Sequence, residues 1–378
     1  PVWAMAFRPF YLLAALYGAL SVLLWGFGYQ GTAALPAQFW HAHEMIWGYA
    51  GLVVVAFLLT AVATWTRQPP VSGERLMILT AFWLGARLTV FLPHTALPSG
   101  LLGTAFYLLA AYFMGESVVR SKNTRNYIAV AALALFGLSL LAFHLAVAAG
   151  SNLTGALHAG LLMVAGFIGF IGTRIISFFT SRRLSTAQAP VKPWMATAPL
   201  YLPAAAAVLT ALGILPLLAS LCCLAAGALA LYQGFRWHEK GIWREPLLWI
   251  LHVGYALTAL GLIVYGISGA QLQWQSLGIH LIAVGGIGLL TIGMMSRTAL
   301  GHTGQMLYPL PKPMGTAFLL MAAAALFRAL AAVMLSINAT AYQHSLRLSA
   351  ALFAASLLMF FWRYAPWLTA PRKDGMPG

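Results

Sequence analysis

Apolar runs recur along the whole chain, for example at 12–29, 45–64, 128–149 and 281–295, and short stretches of glycine, proline and charge separate them. Each run is close to the roughly 20 apolar residues that cross a hydrocarbon core as a helix. The runs and their punctuation predict twelve spans, near 7–29, 40–64, 75–93, 98–119, 126–149, 157–180, 194–213, 214–234, 246–267, 277–297, 314–337 and 346–367. The fold expected is an all-α polytopic membrane bundle forming one transmembrane domain over 1–378. Residues 213–216 read equally as a tight hairpin or as a kink in one long helix. The first run starts at Phe7 and ends without a small-residue cleavage site, so it is expected to be a retained span.

Composition agrees with the pattern. Of 378 residues, 61% are hydrophobic and 7% charged, against about 25% charged in a soluble domain. The net charge of +15 does not make a nucleic-acid binder, because the basic residues sit in short clusters between apolar runs and form no continuous basic face. Those clusters instead predict orientation. Arg8, Arg67, Arg75, Arg120, Lys122, Arg125, Arg182, Arg183, Lys192, Arg236, Lys240, Arg244, Arg297, Lys312, Arg363, Arg372 and Lys373 fall on one side. The opposite loops, 31–38, 93–98, 150–152, 268–276 and 338–345, hold no Lys or Arg, and Arg347 lies just beyond the last. Cytoplasmic loops carry the excess of basic residues, so both termini are expected on the cytoplasmic side of the membrane. Trp40 and Trp274 on one side, and Trp65, Trp194, Trp243, Trp362 and Trp367 on the other, fit interfacial belts. Cys222 and Cys223 are neighbours in an apolar run, where bridging is strained, and read as packing residues.

Ionisable side chains inside a membrane mark functional sites by default. The second span opens with Trp40-His41-Ala42-His43-Glu44, the sixth with His158 and the tenth with His280. Four imidazoles and one carboxylate are thereby expected at one depth near the outer face. Imidazole suits zinc, copper, iron and nickel, and a carboxylate either ligates or fixes an imidazole tautomer. His41 and His43 lie about 200° apart on a helix, so two centres are expected rather than one. A single histidine near a helix end ordinarily bonds water or a loop carbonyl; the clustering argues for a metal or cofactor site. His94, His144 and His344 fall at loops or helix exits, where exposure is expected, and His238 in a loop. His252, two turns into the ninth span, needs a bonding partner.

The second, sixth and tenth spans also carry Thr66-Arg67, Thr173-Arg174 and Ser296-Arg297 at their inner ends. Histidine above and hydroxyl-arginine below, on helices four apart in order, suggest three four-helix units near 7–119, 126–234 and 246–367. Arg87 in the third span and Arg328 in the eleventh extend the correspondence; the seventh span has no such arginine. Arginine at a cytoplasmic helix end is also common without any repeat.

Phe7-Arg8-Pro9-Phe10, Trp40-His41-Ala42-His43-Glu44-Met45, Gly85-Ala86-Arg87-Leu88 and Leu300-Gly301-His302-Thr303-Gly304 resemble the NnrS family, over nearly the whole chain. The chain departs from the family at Thr64-Trp65-Thr66-Arg67-Gln68-Pro69-Pro70, where members often have Asn-Trp-Thr-Gly-Arg-Pro-Pro. It departs again at Gly172-Thr173-Arg174-Ile175-Ile176-Ser177, in place of Gly-Gly-Arg-Val-Ile-Pro. The resemblance implies a bacterial inner-membrane protein with haem b and copper, acting in nitric oxide metabolism and defence against nitrosative stress. His41, His43 and His280 best match the family's histidine pattern. On that basis His43 and His280 are assigned to haem and His41 and His158 to copper, with Glu44 as an acceptor for imidazole or a proton relay. Arg87, Arg174 and Arg297 are assigned to propionates, other anions or helix-end carbonyls, and His302 to an anion or propionate. The layout is also similar to haem–copper oxidases and nitric oxide reductases, although the seventh span here has no histidine, so a full binuclear centre is not expected.

The partners so implied are the lipid bilayer, a small gaseous or nitrosyl ligand and an electron donor such as a quinol, with no nucleic acid. Two rivals stand beside this oxidoreductase reading: a secondary transporter of twelve helices, and a haem electron-transfer or sensor protein without turnover. Secondary carriers repeat in sixes around a midplane site, whereas the ionisable residues here gather towards the two ends of the spans.

Overall fold

The computed structural model describes residues 1–92 and 95–375, and His94 lies outside them. The chain is all-helical, 81% helix, with no strand among the described residues; an isolated bridge, Gly31 to Pro36, closes the first long loop. Among the described residues twelve long helices follow one another: α1 Phe7–Gly26, α2 Ala37–Thr66, α3 Glu74–Thr89, α4 Ala96–Arg120, α5 Tyr127–Ala149, α6 Leu153–Leu184, α7 Pro193–Leu212, α8 Pro216–Arg236, α9 Pro246–Ile267, α10 Leu272–His302, α11 Met314–Met334 and α12 Ala339–Thr369. All but α3 are long and apolar enough to cross a membrane, which makes this a multi-pass membrane protein. α3 has 16 residues, about 24 Å at 1.5 Å per residue, against a core of about 30 Å. It stops short of the predicted 75–93 because the chain turns after Thr89.

At 213–216 the chain makes the hairpin. Gly213 and Leu215 both take positive φ, 66° and 46°, and Pro216 starts α8 where its missing N–H costs nothing. Cys222 and Cys223 are free, Cys223 buried. Trp274, Trp194, Trp243 and Trp362 are exposed, as an interfacial belt requires, but Trp40 is 1% exposed. It packs against Tyr29 and Phe91 instead, so the aromatic residue before His41 belongs to the protein interior.

Two compact units make up the chain. The first comprises Pro1–Gly160, Met295–Leu307 and Phe360–Gly378. In it α1 packs on α2, and α3, α4 and α5 pack in succession. Arg8 of the Phe-Arg-Pro-Phe motif is wholly buried, and its Nη1 donates to the carbonyls of Leu368 at 3.0 Å and Ala370 at 2.8 Å. The last carbonyls of a helix have no partner within it, so Arg8 terminates α12. The second unit comprises Leu161–Met294 and Tyr308–Met359, with α7 on α8, α8 on α9, and α9 and α11 against α10.

Two helices are interrupted by π-helical stretches, Glu44–Ala50 in α2 and Leu281–Gly288 in α10. A π turn shifts the helical ladder and frees carbonyls for other donors, and such turns gather at functional sites. In α2 those donors are present: Tyr107 O–H donates to the Trp47 carbonyl, and Trp83 Nε1–H to that of Gly48 at 3.0 Å.

Of the three helices expected to end at hydroxyl-arginine, only α2 does so, with Arg67 left-handed at its cap. α6 continues past Arg174 to Leu184 and α10 past Arg297 to His302. The hydroxyls of Thr66 and Thr173 turn back onto their own helices, to Val62 and Phe170.

Candidate metal centre in the first unit

His43 and Glu44 straddle the start of the π stretch in α2, and both are completely buried. His43 Nδ1 lies 2.6 Å from Glu44 Oε1. The other carboxylate oxygen, Oε2, accepts from Arg87 Nη1 of α3 at 2.9 Å and from the Tyr17 hydroxyl of α1. Glu44 thus anchors three helices to one carboxylate. Gly48 is required here, since a Cβ at that position would stand 2.8 Å from Arg87 Nη1 and 3.0 Å from Glu44 Oε2.

On its other side His43 meets a residue the sequence did not single out. His144, expected to be exposed at the exit of the fifth span, is completely buried, and its Nε2 is 2.9 Å from His43 Nε2. The ring fits because α4 presents Gly100, where a Cβ would come within 2.4 Å of it. With the Nδ1 proton of His43 directed at Glu44, a neutral His43 accepts at Nε2 and His144 donates. Trp47 and Phe143 cover the His43 ring, at centroid distances of 5.6 and 5.5 Å.

The other expected ligands lie elsewhere. His41 is half-buried and stacked on Trp25, rings 5.0 Å apart, and His158 is half-buried in α6. His280, in the second unit, is bonded through Nδ1 to the Ser276 carbonyl at 2.7 Å and through Nε2 to Arg328 Nη2 at 2.8 Å. Among the described residues no three His, Cys, Asp or Glu side chains converge on a common metal position. Arg174 lies over the Phe170 ring at 4.0 Å; Arg297 is half-buried on α10. His302 packs on Phe7, ring centroids 5.4 Å apart. His252 has the bland partner expected of a buried helix histidine, Thr180 Oγ1 at 2.9 Å, and His238 and His344 are exposed. At the far end of α2, Gln68, Pro69, Pro70, Arg75, Glu116 and Arg120 line a cavity of about 430 Å³.

A family model described as NnrS protein matches residues 1–372. The chain belongs to the NnrS family. At the family level this is a nitric-oxide-related membrane protein. No curated protein matches it. Of the motifs that carry the family likeness, Phe7-Arg8-Pro9-Phe10 terminates α12, while Trp40 to Met45 and Gly85 to Leu88 meet at the Glu44–Arg87 ion pair. His144 lies in none of them.

Proposed function

We propose that this NnrS-family chain is a haem- and copper-binding protein of the bacterial inner membrane, both termini cytoplasmic, that binds or converts nitric oxide or a nitrosyl species derived from it. The facing imidazoles of His43 and His144 carry this reading. Two nitrogens about 2.0–2.1 Å from one metal ion, at right angles to each other, stand about 2.9 Å apart, which matches the observed 2.9 Å between the two Nε2 atoms. Imidazole donors suit copper. Glu44 on Nδ1 of His43 makes the carboxylate–histidine arrangement that fixes ring orientation and raises ligand basicity. Copper held there would supply a redox-active ion able to take a diatomic ligand.

Haem does not fit His43, which is completely buried and whose ring is covered by Trp47 and Phe143. His280 fits better as its ligand. That ring is half-exposed, and with its Nδ1 held by the Ser276 carbonyl haem iron would take Nε2 in place of the bond to Arg328 Nη2. Haem held by His280 would supply iron that binds diatomic ligands. The protein's own part at His43 is positional and protonic. Arg87 and Tyr17 hold Glu44, Glu44 holds the Nδ1 proton of His43, and the Tyr17–Glu44–His43 hydrogen bonds are a route along which a proton can shift beside the metal position. Turnover calls for an electron donor, for which a membrane quinol is proposed.

The test is anaerobic addition of nitric oxide to the purified, reduced protein, read by an electrode and by optical and EPR spectra. Loss of free nitric oxide with a new metal–nitrosyl signal is expected, and His43→Ala should lose the copper part of it. A copper-loaded protein that changes neither the gas concentration nor its spectra contradicts the reading.

A further inference from the structure

Arg328, on α11, is 8% exposed, and among the described residues its guanidinium hydrogen-bonds only a neutral acceptor, from Nη2 to His280 Nε2 at 2.8 Å. Nη1 is buried without a hydrogen-bond partner among those residues. None of their ion pairs involves Arg328. The chain has six acidic residues, and those in the second unit are Glu239 and Glu245, both in the connection between α8 and α9, where Glu245 already pairs with Arg183. A buried cation without a counter-charge costs several kcal/mol, and an arginine inside a membrane helix faces a partner or a pathway.

We propose that Arg328 is the anchoring residue of a binding site for a small monovalent oxyanion of the nitrite or carboxylate type. One guanidinium calls for one negative charge, and its planar pair of N–H groups matches two oxygens on one atom better than a spherical ion. Nη1 is the open donor, and His280, which Nη2 reaches, is half-exposed together with Ser276 and Leu277 before it. The π stretch that follows His280 packs through Gly285 and Gly286 against Leu257 and Thr258 of α9, so the ring that faces Arg328 is set on a fixed surface. The inference rests on the uncompensated charge of Arg328 and holds whatever His280 ligates. A free anion and a carboxylate arm of a bound group share this chemistry.

The test follows the thermal midpoint of the full-length protein in detergent against sodium nitrite and sodium formate, with sodium chloride keeping ionic strength constant. A saturable rise of about 2–4 °C is expected in the unsubstituted protein and in Arg347→Gln, an exposed arginine on α12. The rise should vanish in Arg328→Gln and need roughly tenfold more anion in Arg328→Lys, which keeps the charge but not the fork. A free anion as the natural occupant gives the rise in the protein as purified; a carboxylate arm gives it only after the bound group is extracted. No rise in either preparation overturns the proposal, as does an equal rise in the unsubstituted protein and Arg328→Gln. If Arg328→Gln does not fold, the same concentration dependence in Arg328→Lys and the unsubstituted protein overturns it equally.

Discussion

His43 and His280 are each followed by a π-helical stretch and each site takes an arginine from the next helix, yet only His43 is followed by a carboxylate, and there the arginine bonds the carboxylate instead of the imidazole. At position 44 the first unit has Glu; at the corresponding position 281 the second has Leu. With Glu44 present, Arg87 pairs with it, the His43 tautomer is set, and the other ring nitrogen is left to meet His144. Without it, Arg328 turns to the imidazole itself and His280 takes a backbone carbonyl. One carboxylate separates a neutral, closed site that presents two imidazoles from a cationic, half-open one.

Arg8, Arg87 and Arg328 form a series of buried arginines compensated by helix-end carbonyls, by a carboxylate, and by an imidazole alone. The largest expected effect is a difference in sign within that series. Arg87→Met leaves Glu44 buried without its cation and should destabilise by about 3–5 kcal/mol, whereas Arg328→Met in anion-free buffer should be neutral or stabilising by up to about 4 kcal/mol. Reversible unfolding in mixed detergent measures both, and equal losses would erase the distinction between the units. Arg8→Met, which frees the carbonyls ending α12, should cost about 2 kcal/mol by the same measurement.

Glu44→Gln keeps the shape of the site and removes its charge. Copper affinity, from competition with a chelator, should fall about 10–100-fold, while Ser276→Ala, which leaves the carbonyl bonded to His280 in place, should change it little. Smallest of all, Leu281→Glu would offer Arg328 the carboxylate that Arg87 has in Glu44. A gain of up to about 1 kcal/mol and a blunted response to nitrite are expected, and an unchanged nitrite response would show that position 281 does not reach Arg328.

The bundle was legible in the sequence because the apolar runs match the bilayer in length; the end of α3 was not, because Val90, Phe91 and Leu92 prolong the apolar window while their backbone already turns away from the helix. His43, Glu44 and Arg87 were legible too, since buried charge in a membrane helix stands out against its surroundings. Tyr17 and His144 were not. Each lies on an apolar helix where a lone polar residue ordinarily meets water or a carbonyl, and only the folded chain brings α1 and α5 to α2. Nor does composition reveal the π turns; that of α2 has donors from other helices, Tyr107 and Trp83, on the carbonyls of Trp47 and Gly48. The correspondence of Arg87 with Arg328 was visible in the sequence, but not that only one of them has a counter-charge.

The account depends most on His43 and His144 sharing one metal ion. Copper content and the nitrogen hyperfine structure of the copper EPR signal, compared among the unsubstituted protein, His43→Ala and His144→Ala, test this directly. Nitrogen couplings from two imidazoles in the unsubstituted protein, with copper lost or the coupling pattern reduced in both variants, are expected. A His144→Ala protein with full copper and an unaltered signal would contradict it.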